Sequence, residues 1–154
     1  MSIQAGEEAP DFVLKDNAGN DVRLSDFRGK QNVVLVFYPF TFTGVCQGEL
    51  CELRDDLSSF ETADAQVLAI SCDSRHAQNK WAAEQGFTFP LLSDFWPHGE
   101  VSRRYGVFNE AVGCANRATF VIDKDGQVVD TFATAQLRTP RDKADYEAAL
   151  TKLG

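Results

Sequence analysis

Residues 32–53, NVVLVFYPFTFTGVCQGELCEL, contain the change of pattern that decides the fold. Their first part, NVVLVFYP (32–39), is nearly continuous in apolar and β-branched residues, which is typical of a strand covered on both faces by helices. Pro39 ends this strand. From Val45 to about Phe60, apolar residues then recur at spacings of three and four, as on one face of a helix. The recurring residues are Leu50, Leu53, Leu57 and Phe60. The stretch therefore predicts a buried strand followed directly by a helix.

The same alternation continues towards the carboxyl end. AQVLAIS (65–71) predicts a second buried strand. Ser74 can cap a following helix that runs to about Gln85 and is closed by Gly86, with Trp81 on its apolar side. The order strand, helix, strand, helix is typical of an α/β protein.

The flanking segments add shorter elements. FVLKDNAGNDVRL (12–24) predicts two strands of a hairpin that turns near Gly19. LSDFRGK (24–30) predicts a helical turn capped by Ser25 and stopped by Gly29. These residues therefore place a β-hairpin ahead of the first buried strand.

The second half predicts mixed elements. FPLLSD (89–94) is short and extended, and PHGEVSRRYG (97–106) predicts a brief helix that ends at a glycine. RATFVID (117–123) and QVVDTFAT (127–134) predict an antiparallel pair joined by a tight turn.

A final helix is predicted with Thr139 as its cap and Pro140 at its first position. Its inner residues would be Tyr146, Leu150 and Leu153. Together the elements predict an α/β protein with a thioredoxin-like fold: a central mixed sheet, helices on both faces and an N-terminal hairpin. We see no linker or repeat, so residues 1–154 are expected to form one domain.

Charge and composition exclude several classes of function. The 154 residues are 44% hydrophobic and 25% charged, and their formal net charge is -8. Such a surface repels nucleic acid and anionic lipid. The first residues, MSIQAGEEAPDF, lack the pattern of a secretory signal, and no stretch is apolar enough for a membrane span. We therefore expect a cytoplasmic protein, whose four cysteines are thiols rather than a structural disulfide framework.

Cys46 lies in the first turn of the predicted helix. Unpaired N–H groups and the helix dipole favour a thiolate at that position. Gly44 lets a small ligand approach the backbone, Thr43 supplies a hydroxyl, and Pro39 supplies an apolar wall. The alternative is that Cys46 is a core residue and the others only turn the chain from strand to helix.

The segment also resembles a known family, because Pro39, Thr43 and Cys46 match the PxxxTxxC motif of peroxiredoxins. The resemblance extends from GEEAPDFVLKD (6–16) to NRATFVIDKDGQVV (116–129). It is closest to the one-cysteine group, the alkyl hydroperoxide reductase E type. It implies a thiol peroxidase that reduces hydrogen peroxide, organic hydroperoxides or peroxynitrite, forms a sulfenic acid on its cysteine, and requires no metal or organic cofactor.

The resemblance also implies roles for further residues. Arg117 would contact both the Cys46 thiolate and the bound peroxide, and Glu49 would hold Arg117 in place. Thr43 and the backbone N–H groups of Val45 and Cys46 would stabilise the leaving oxygen. The implied partners are a second copy of the chain and a reductant, which could be thioredoxin, a glutaredoxin-like protein or a low-molecular-weight thiol such as mycothiol.

Cys51 departs from the one-cysteine pattern. The CxxxxC spacing of Cys46 and Cys51 matches peroxiredoxins of the bacterioferritin comigratory type, whose second cysteine resolves the sulfenic acid. Five residues along a helix give about 7.5 Å of rise and roughly 140° of rotation, too far for an unstrained disulfide. A disulfide between Cys46 and Cys51 therefore requires the first turn to unwind. The alternative is resolution by an external thiol. We expect Cys72 and Cys114 to be bystanders.

Other functions fit less well. A disulfide oxidoreductase would carry CxxC, whereas Gln47, Gly48 and Glu49 follow Cys46. His76 and His98 lie in separate segments without metal-ligand spacing, and both are expected at the surface. A redox sensor that uses Cys46 remains an alternative. Four loop aromatics either pack in the core, which we expect, or mark a contact surface. These are Phe40, Phe42, Phe95 and Trp96.

Overall fold

The structure, a computed structural model, describes residues 2–153. In chain order the strands are β1 (Val13–Asp16), β2 (Asp21–Arg23), β3 (Asn32–Phe37), β4 (Ala65–Ser71), β5 (Leu91–Ser93), β6 (Phe108–Asn109), β7 (Cys114–Ala115), β8 (Ala118–Ile122) and β9 (Val128–Ala133). The helices are α1 (Gly44–Asp55), α2 (Leu57–Thr62), α3 (Arg75–Gln85), α4 (Glu100–Arg104) and α5 (Lys143–Leu150), and a 3-10 helix spans Leu24–Phe27.

The central sheet has seven strands in the order β2-β1-β5-β4-β3-β8-β9. β3, β4 and β5 are parallel, whereas β1, β2, β8 and β9 join by antiparallel pairing. β6 and β7 form a separate two-stranded ribbon. The predicted mixed sheet with an N-terminal hairpin is confirmed, and so is the thioredoxin-like fold.

β3 is buried on both faces, as its apolar run predicts. Val33, Leu35 and Phe37 belong to a hydrophobic cluster that includes Val101 of α4. Val34 and Val36, which point to the other face, belong to a second cluster. That second cluster contains residues of α1, α2, α3 and α5: Leu50, Leu53, Phe60, Trp81, Tyr146 and Ala149. Helices therefore cover both faces of the sheet.

α3 begins and ends where its sequence predicts. The Ser74 hydroxyl accepts a hydrogen bond from the backbone N–H of Ala77. Gly86 follows the helix with a φ of 71°, a left-handed conformation that glycine adopts readily. The buried Trp81 lies on the inner face of α3.

The single helix predicted from Val45 to Phe60 is wrong, because two helices occupy this segment. The chain leaves helical geometry at Asp56, where φ is -110° and ψ is 20°. The Ser59 hydroxyl donates to the Asp56 carboxylate at 2.8 Å, and aspartate is a poor residue for a helix interior. The apolar face still continues across the break, since Phe60 reaches the same cluster as Leu53.

The predicted start of the last helix at Thr139 and Pro140 is also wrong. α5 begins at Lys143, and the Asp142 side chain caps it by accepting the backbone N–H of Ala144 at 3.0 Å. The cause is Arg141, which is buried and whose backbone N–H donates to Glu49. The chain must reach into the interior at Arg141 before the helix can begin.

Two smaller predictions also fail. The 3-10 helix has Arg23 at its cap position, and the Ser25 backbone N–H instead donates to the Asp11 carboxylate at 2.9 Å. The four loop aromatics are exposed rather than packed in the core. Their exposed fractions are 38% for Phe40, 52% for Phe42, 52% for Phe95 and 81% for Trp96.

Candidate active site

The loop between β3 and α1 delivers Cys46 to the interior. Cys46 lies in the first turn of α1 and is fully buried. The first hydrogen bond of α1 runs from the Gln47 N–H to the Thr43 carbonyl oxygen at 2.8 Å. Helix geometry therefore leaves the N–H groups of Val45 and Cys46 without intrahelical partners.

Arg117 reaches the same sulfur from β8. The antiparallel register pairs Phe37 with Ala118, so the start of β8 lies beside the end of β3. Arg117 precedes β8, is 3% exposed, and places its Nη1 3.1 Å from Cys46 Sγ. Its Nε donates to the Leu137 carbonyl oxygen, which fixes the plane of the guanidinium. A charged donor is therefore aimed at the cysteine.

Glu49 lies one turn after Cys46 and is also buried. The Arg117 Nη1 that contacts the sulfur also donates to Glu49 Oε1 at 2.7 Å. The structure thus brings together three residues for which the sequence predicted linked roles: Cys46, Glu49 and Arg117.

Arg141 is the residue that sequence reasoning missed. Its Nη2 donates to Glu49 Oε1 at 2.8 Å and its Nε to Glu49 Oε2 at 3.0 Å. Its Nη1 donates to the carbonyl oxygens of Phe37 at 2.7 Å and Ala118 at 3.0 Å. Arg141 therefore ties α1 to β3 and β8. A buried glutamate needs more hydrogen-bond donors than the one that Arg117 shares between it and Cys46. This need could have indicated a second arginine.

The two arginines set the charge state of Glu49. Burial alone would raise the pKa of this carboxyl group. Hydrogen bonds and charge from Arg141, with the charge of Arg117, outweigh burial and hold the pKa of Glu49 below its ordinary value. Glu49 is therefore ionised, and the site carries two guanidinium charges against one carboxylate.

The remaining predicted site residues surround the helix start. Pro39 is buried, and the exposed Thr43 donates its hydroxyl to the Phe40 carbonyl oxygen at 2.7 Å. A Cβ placed on Gly44 would meet no other atom within 4 Å, so space is open above that backbone. Val45 is half-buried. A small molecule can approach the helix start from this side.

Cys51 lies on another side of α1. Its sulfur is 3.7 Å from Gln85 Oε1 of α3, whereas the Cys46 sulfur faces Arg117. All four cysteines are free thiols, and α1 is continuous through both positions. The folded helix therefore keeps the two sulfurs apart.

Cys72 and Cys114 are buried. Burial, and next the charge of Asp94, raise the pKa of Cys72 to about 12. Burial, and next the charge of Cys46, raise the pKa of Cys114 to about 11. Both side chains are therefore protonated at neutral pH, and their predicted role as bystanders stays a prediction.

Both histidines are exposed. Across residues 2–153, no group of three or more His, Cys, Asp or Glu side chains is placed to hold a metal ion. In that same part of the chain, no helix has the length and apolar character needed to cross a membrane.

A thioredoxin-like fold with a buried cysteine at a helix start and a guanidinium on its sulfur defines a class, the thiol-dependent oxidoreductases. Comparison with known proteins narrows the class. The profile of the AhpC/TSA family matches residues 5–131. Alkyl hydroperoxide reductase E of Mycobacterium tuberculosis is 50% identical over 151 residues, which cover 97% of this chain and 99% of that protein.

Two further relatives agree. Peroxiredoxin Bcp of Bacillus subtilis is 33% identical over 144 residues, which cover 90% of each chain. The crystal structure of peroxidoxin BcpB from Mycobacterium tuberculosis superposes with a TM-score of 0.85 at 34% identity, over 97% of this chain and 96% of that one. The chain belongs to the AhpC/TSA family of peroxiredoxins, which are thiol peroxidases.

Proposed function

We propose that Cys46 is the peroxidatic nucleophile and attacks the O–O bond of a bound peroxide. The observation that carries this proposal is the 3.1 Å contact between Arg117 Nη1 and the buried Cys46 sulfur. The thiolate sulfur bonds to one peroxide oxygen, and the O–O bond breaks. With one proton the other oxygen leaves as water from hydrogen peroxide, as an alcohol from an organic hydroperoxide, or within nitrite from peroxynitrite. The peroxide is thereby reduced and Cys46 is oxidised to a sulfenic acid.

The other residues of the site assist this step. The Arg117 guanidinium and the N–H groups of Val45 and Cys46 stabilise the negative charge that develops on the leaving oxygen. Thr43 orients the peroxide through its hydroxyl, and Pro39 keeps water from the sulfur. These groups act on the O–O unit alone, so the proposed substrates include hydrogen peroxide, organic hydroperoxides and peroxynitrite.

Cys51 then resolves the sulfenic acid by forming a disulfide with Cys46 and releasing water. Because the folded α1 separates the two sulfurs, its first turn must unwind in each cycle. The half-buried position of Cys51 supports this proposal, since its thiol is accessible once the helix opens. The alternatives are a one-cysteine cycle completed by an external thiol, and a redox sensor that passes the oxidation to a partner.

Peroxide consumption by variants tests the proposal. Cys46→Ser should abolish consumption, and retention of the wild-type rate would remove the proposal. Arg117→Lys keeps a positive charge but loses the guanidinium geometry, and should slow Cys46 oxidation by about 100-fold. Arg138→Lys, a change at an exposed arginine, should leave the rate unchanged.

Mass spectrometry after one equivalent of peroxide tests the resolving step. A peptide disulfide between Cys46 and Cys51 is expected. A disulfide from Cys46 to Cys72 or Cys114 would defeat the assignment of Cys51, and a stable sulfenic acid would favour the one-cysteine cycle. Turnover of wild type and Cys51→Ser with thioredoxin, a glutaredoxin-like protein and mycothiol then identifies the reductant.

We also propose a homodimer in which loops near the site contact a second copy. The exposed aromatic side chains of Phe42 and Trp96 support it, because such residues are enriched in protein interfaces. The remaining parts of the proposal are one domain across residues 1–154 and a cytoplasmic location. The first is supported by the packing of both hydrophobic clusters on the same sheet.

A further inference from the structure

The loop that leads to Cys46, residues 38–43, is anchored by a carboxylate from another connection. The backbone N–H of Thr41 donates to Asp73 Oδ2 at 2.8 Å. Asp73 follows β4, and β3 and β4 are parallel neighbours, so the segments after both strands meet at one edge of the sheet. This contact joins residues 32 positions apart.

Asp73 is itself held in place. The same Oδ2 accepts the Ser71 hydroxyl at 2.7 Å, and the Asp73 carbonyl oxygen accepts the Ser93 hydroxyl at 2.6 Å. Ser71 is fixed in turn by the Gln78 amide, which donates to its oxygen at 2.9 Å. The carboxylate therefore offers the loop a rigid attachment point.

The loop needs such an attachment. Phe42, directly after Thr41, has a φ of +66°, a left-handed conformation that is unfavourable for a residue with a bulky side chain. The Thr41 hydroxyl also bonds to the hydroxyl of the buried Tyr38 at 3.0 Å. The bond from Thr41 to Asp73 therefore restrains the backbone directly before this strained residue and before Thr43.

We propose that Asp73 is a positioning residue that holds this loop in the arrangement that reacts with peroxide. The inference rests on the proposed function and deepens it. Oxidation of Cys46 requires the ordered loop and the intact first turn of α1, whereas a disulfide with Cys51 requires that turn to open. Loss of the anchor therefore slows the first step and speeds the second.

Opposite changes in two rates distinguish this role from general destabilisation. In Asp73→Ala, oxidation of Cys46 by hydrogen peroxide should slow by about tenfold, the effect of losing a charge-assisted hydrogen bond. Formation of the disulfide between Cys46 and Cys51 should become several-fold faster by the same reasoning. Both rates are measured on reduced protein by rapid quenching, thiol alkylation and mass spectrometry.

Two conservative variants keep the test decisive if Asp73→Ala does not fold. Asp73→Asn retains an oxygen that can accept the Thr41 N–H without the charge, and should give an intermediate change in both rates. Tyr38→Phe removes the hydroxyl that bonds to Thr41 and should change both rates in the same directions. Wild-type rates in both variants would overturn the inference.

The matched control is Asp123→Ala. The Asp123 carboxylate also accepts backbone N–H groups, from Asp125 at 2.9 Å and Gln127 at 3.0 Å, but lies at the opposite end of β8 from Arg117. It should leave both rates at their wild-type values. If Asp73→Ala and Asp123→Ala slowed Cys46 oxidation equally, Asp73 would act only through the stability of the fold. That result would also overturn the inference.

The outcomes separate this inference from the proposed function. If wild-type protein does not consume peroxide, the proposed function fails. If Cys46 is oxidised but Cys51 does not resolve it, backbone hydrogen exchange of residues 41–47 replaces the second rate. Exchange there should be faster in Asp73→Ala and unchanged in Asp123→Ala, and unchanged exchange in Asp73→Ala would contradict the positioning role.

Discussion

Arg141 holds both carboxylate oxygens of Glu49, with Nη2 2.8 Å from Oε1 and Nε 3.0 Å from Oε2. This bidentate pair matches the Glu49 charge with one guanidinium, and the bond between Glu49 and Arg117 orients a second guanidinium towards the Cys46 sulfur. A net positive charge remains beside the Cys46 sulfur.

Removal of Arg141 should therefore destabilise the fold. Arg141→Ala removes both side-chain donors to Glu49 and leaves the buried carboxylate with Arg117 and the backbone N–H at position 141, and we expect a loss of about 3 kcal/mol in the free energy of unfolding. Arg141→Lys keeps the positive charge but not the bidentate guanidinium, and it should lose less of the free energy of unfolding. Denaturant unfolding measures both. Arg138→Ala is the control, since within residues 2–153 its exposed side chain bonds only to nearby Gln136. An equal loss in the free energy of unfolding for Arg138→Ala and Arg141→Ala would contradict the argument.

Glu49 should also make stability depend on acid pH. Its pKa in the folded protein lies below the ordinary 4.5. Its ionised form therefore contributes stability that is fully present above the ordinary value and is lost as pH falls through the lower folded value. Unfolding free energies of wild type should fall between about pH 5 and pH 3, and those of Glu49→Gln should fall less. Parallel curves would show that other carboxyl groups cause the acid loss.

The elements that the sequence predicts well are those with local causes. The apolar run of β3 and the cap and stop of α3 at Ser74 and Gly86 each lie within one short segment, so no distant contact is needed to recognise them. The sequence did not predict the helix break at Asp56, because the apolar spacing continues across it. The predicted start of α5 was wrong because Arg141 is held in the interior by Glu49, which is 92 positions away in sequence.

The residues of the candidate site also differ in whether the local sequence predicts them. Cys46 at a helix start is visible in the spacing, because the strand and helix patterns meet beside it. The role of Arg117 was predicted from the family resemblance, because a residue 71 positions from Cys46 cannot be linked to it by local spacing. Neither the spacing nor the resemblance predicted a role for Arg141. The exposure of Phe42 and Trp96 was missed because apolar character alone does not distinguish a core residue from a contact residue.

The buried thiols should resist alkylation. The raised pKa values of Cys72, about 12, and Cys114, about 11, leave almost no thiolate at neutral pH, and the thiolate is the form that reacts with iodoacetamide. Cys51 is half-buried and should react at least about 100-fold faster than either. Peptide mass spectrometry at pH 7.5 measures the order. Similar rates for all cysteines are expected only in concentrated guanidinium chloride, and similar rates in the native protein would contradict the burial argument.

The proposed homodimer should depend on the exposed loop aromatics. Trp96 is 81% exposed and Phe42 52%, so about half or more of each ring is open to a partner. Trp96→Asp and Phe42→Asp should convert the dimer to monomer in sedimentation velocity, because an unpaired charge in an apolar contact is costly. Val13→Asp, at a 42% exposed apolar residue of the hairpin, is the matched control and should leave the dimer intact. Sedimentation of the wild type as a monomer at working concentration would rule out the homodimer, and dissociation by Val13→Asp alone would move the interface to the hairpin.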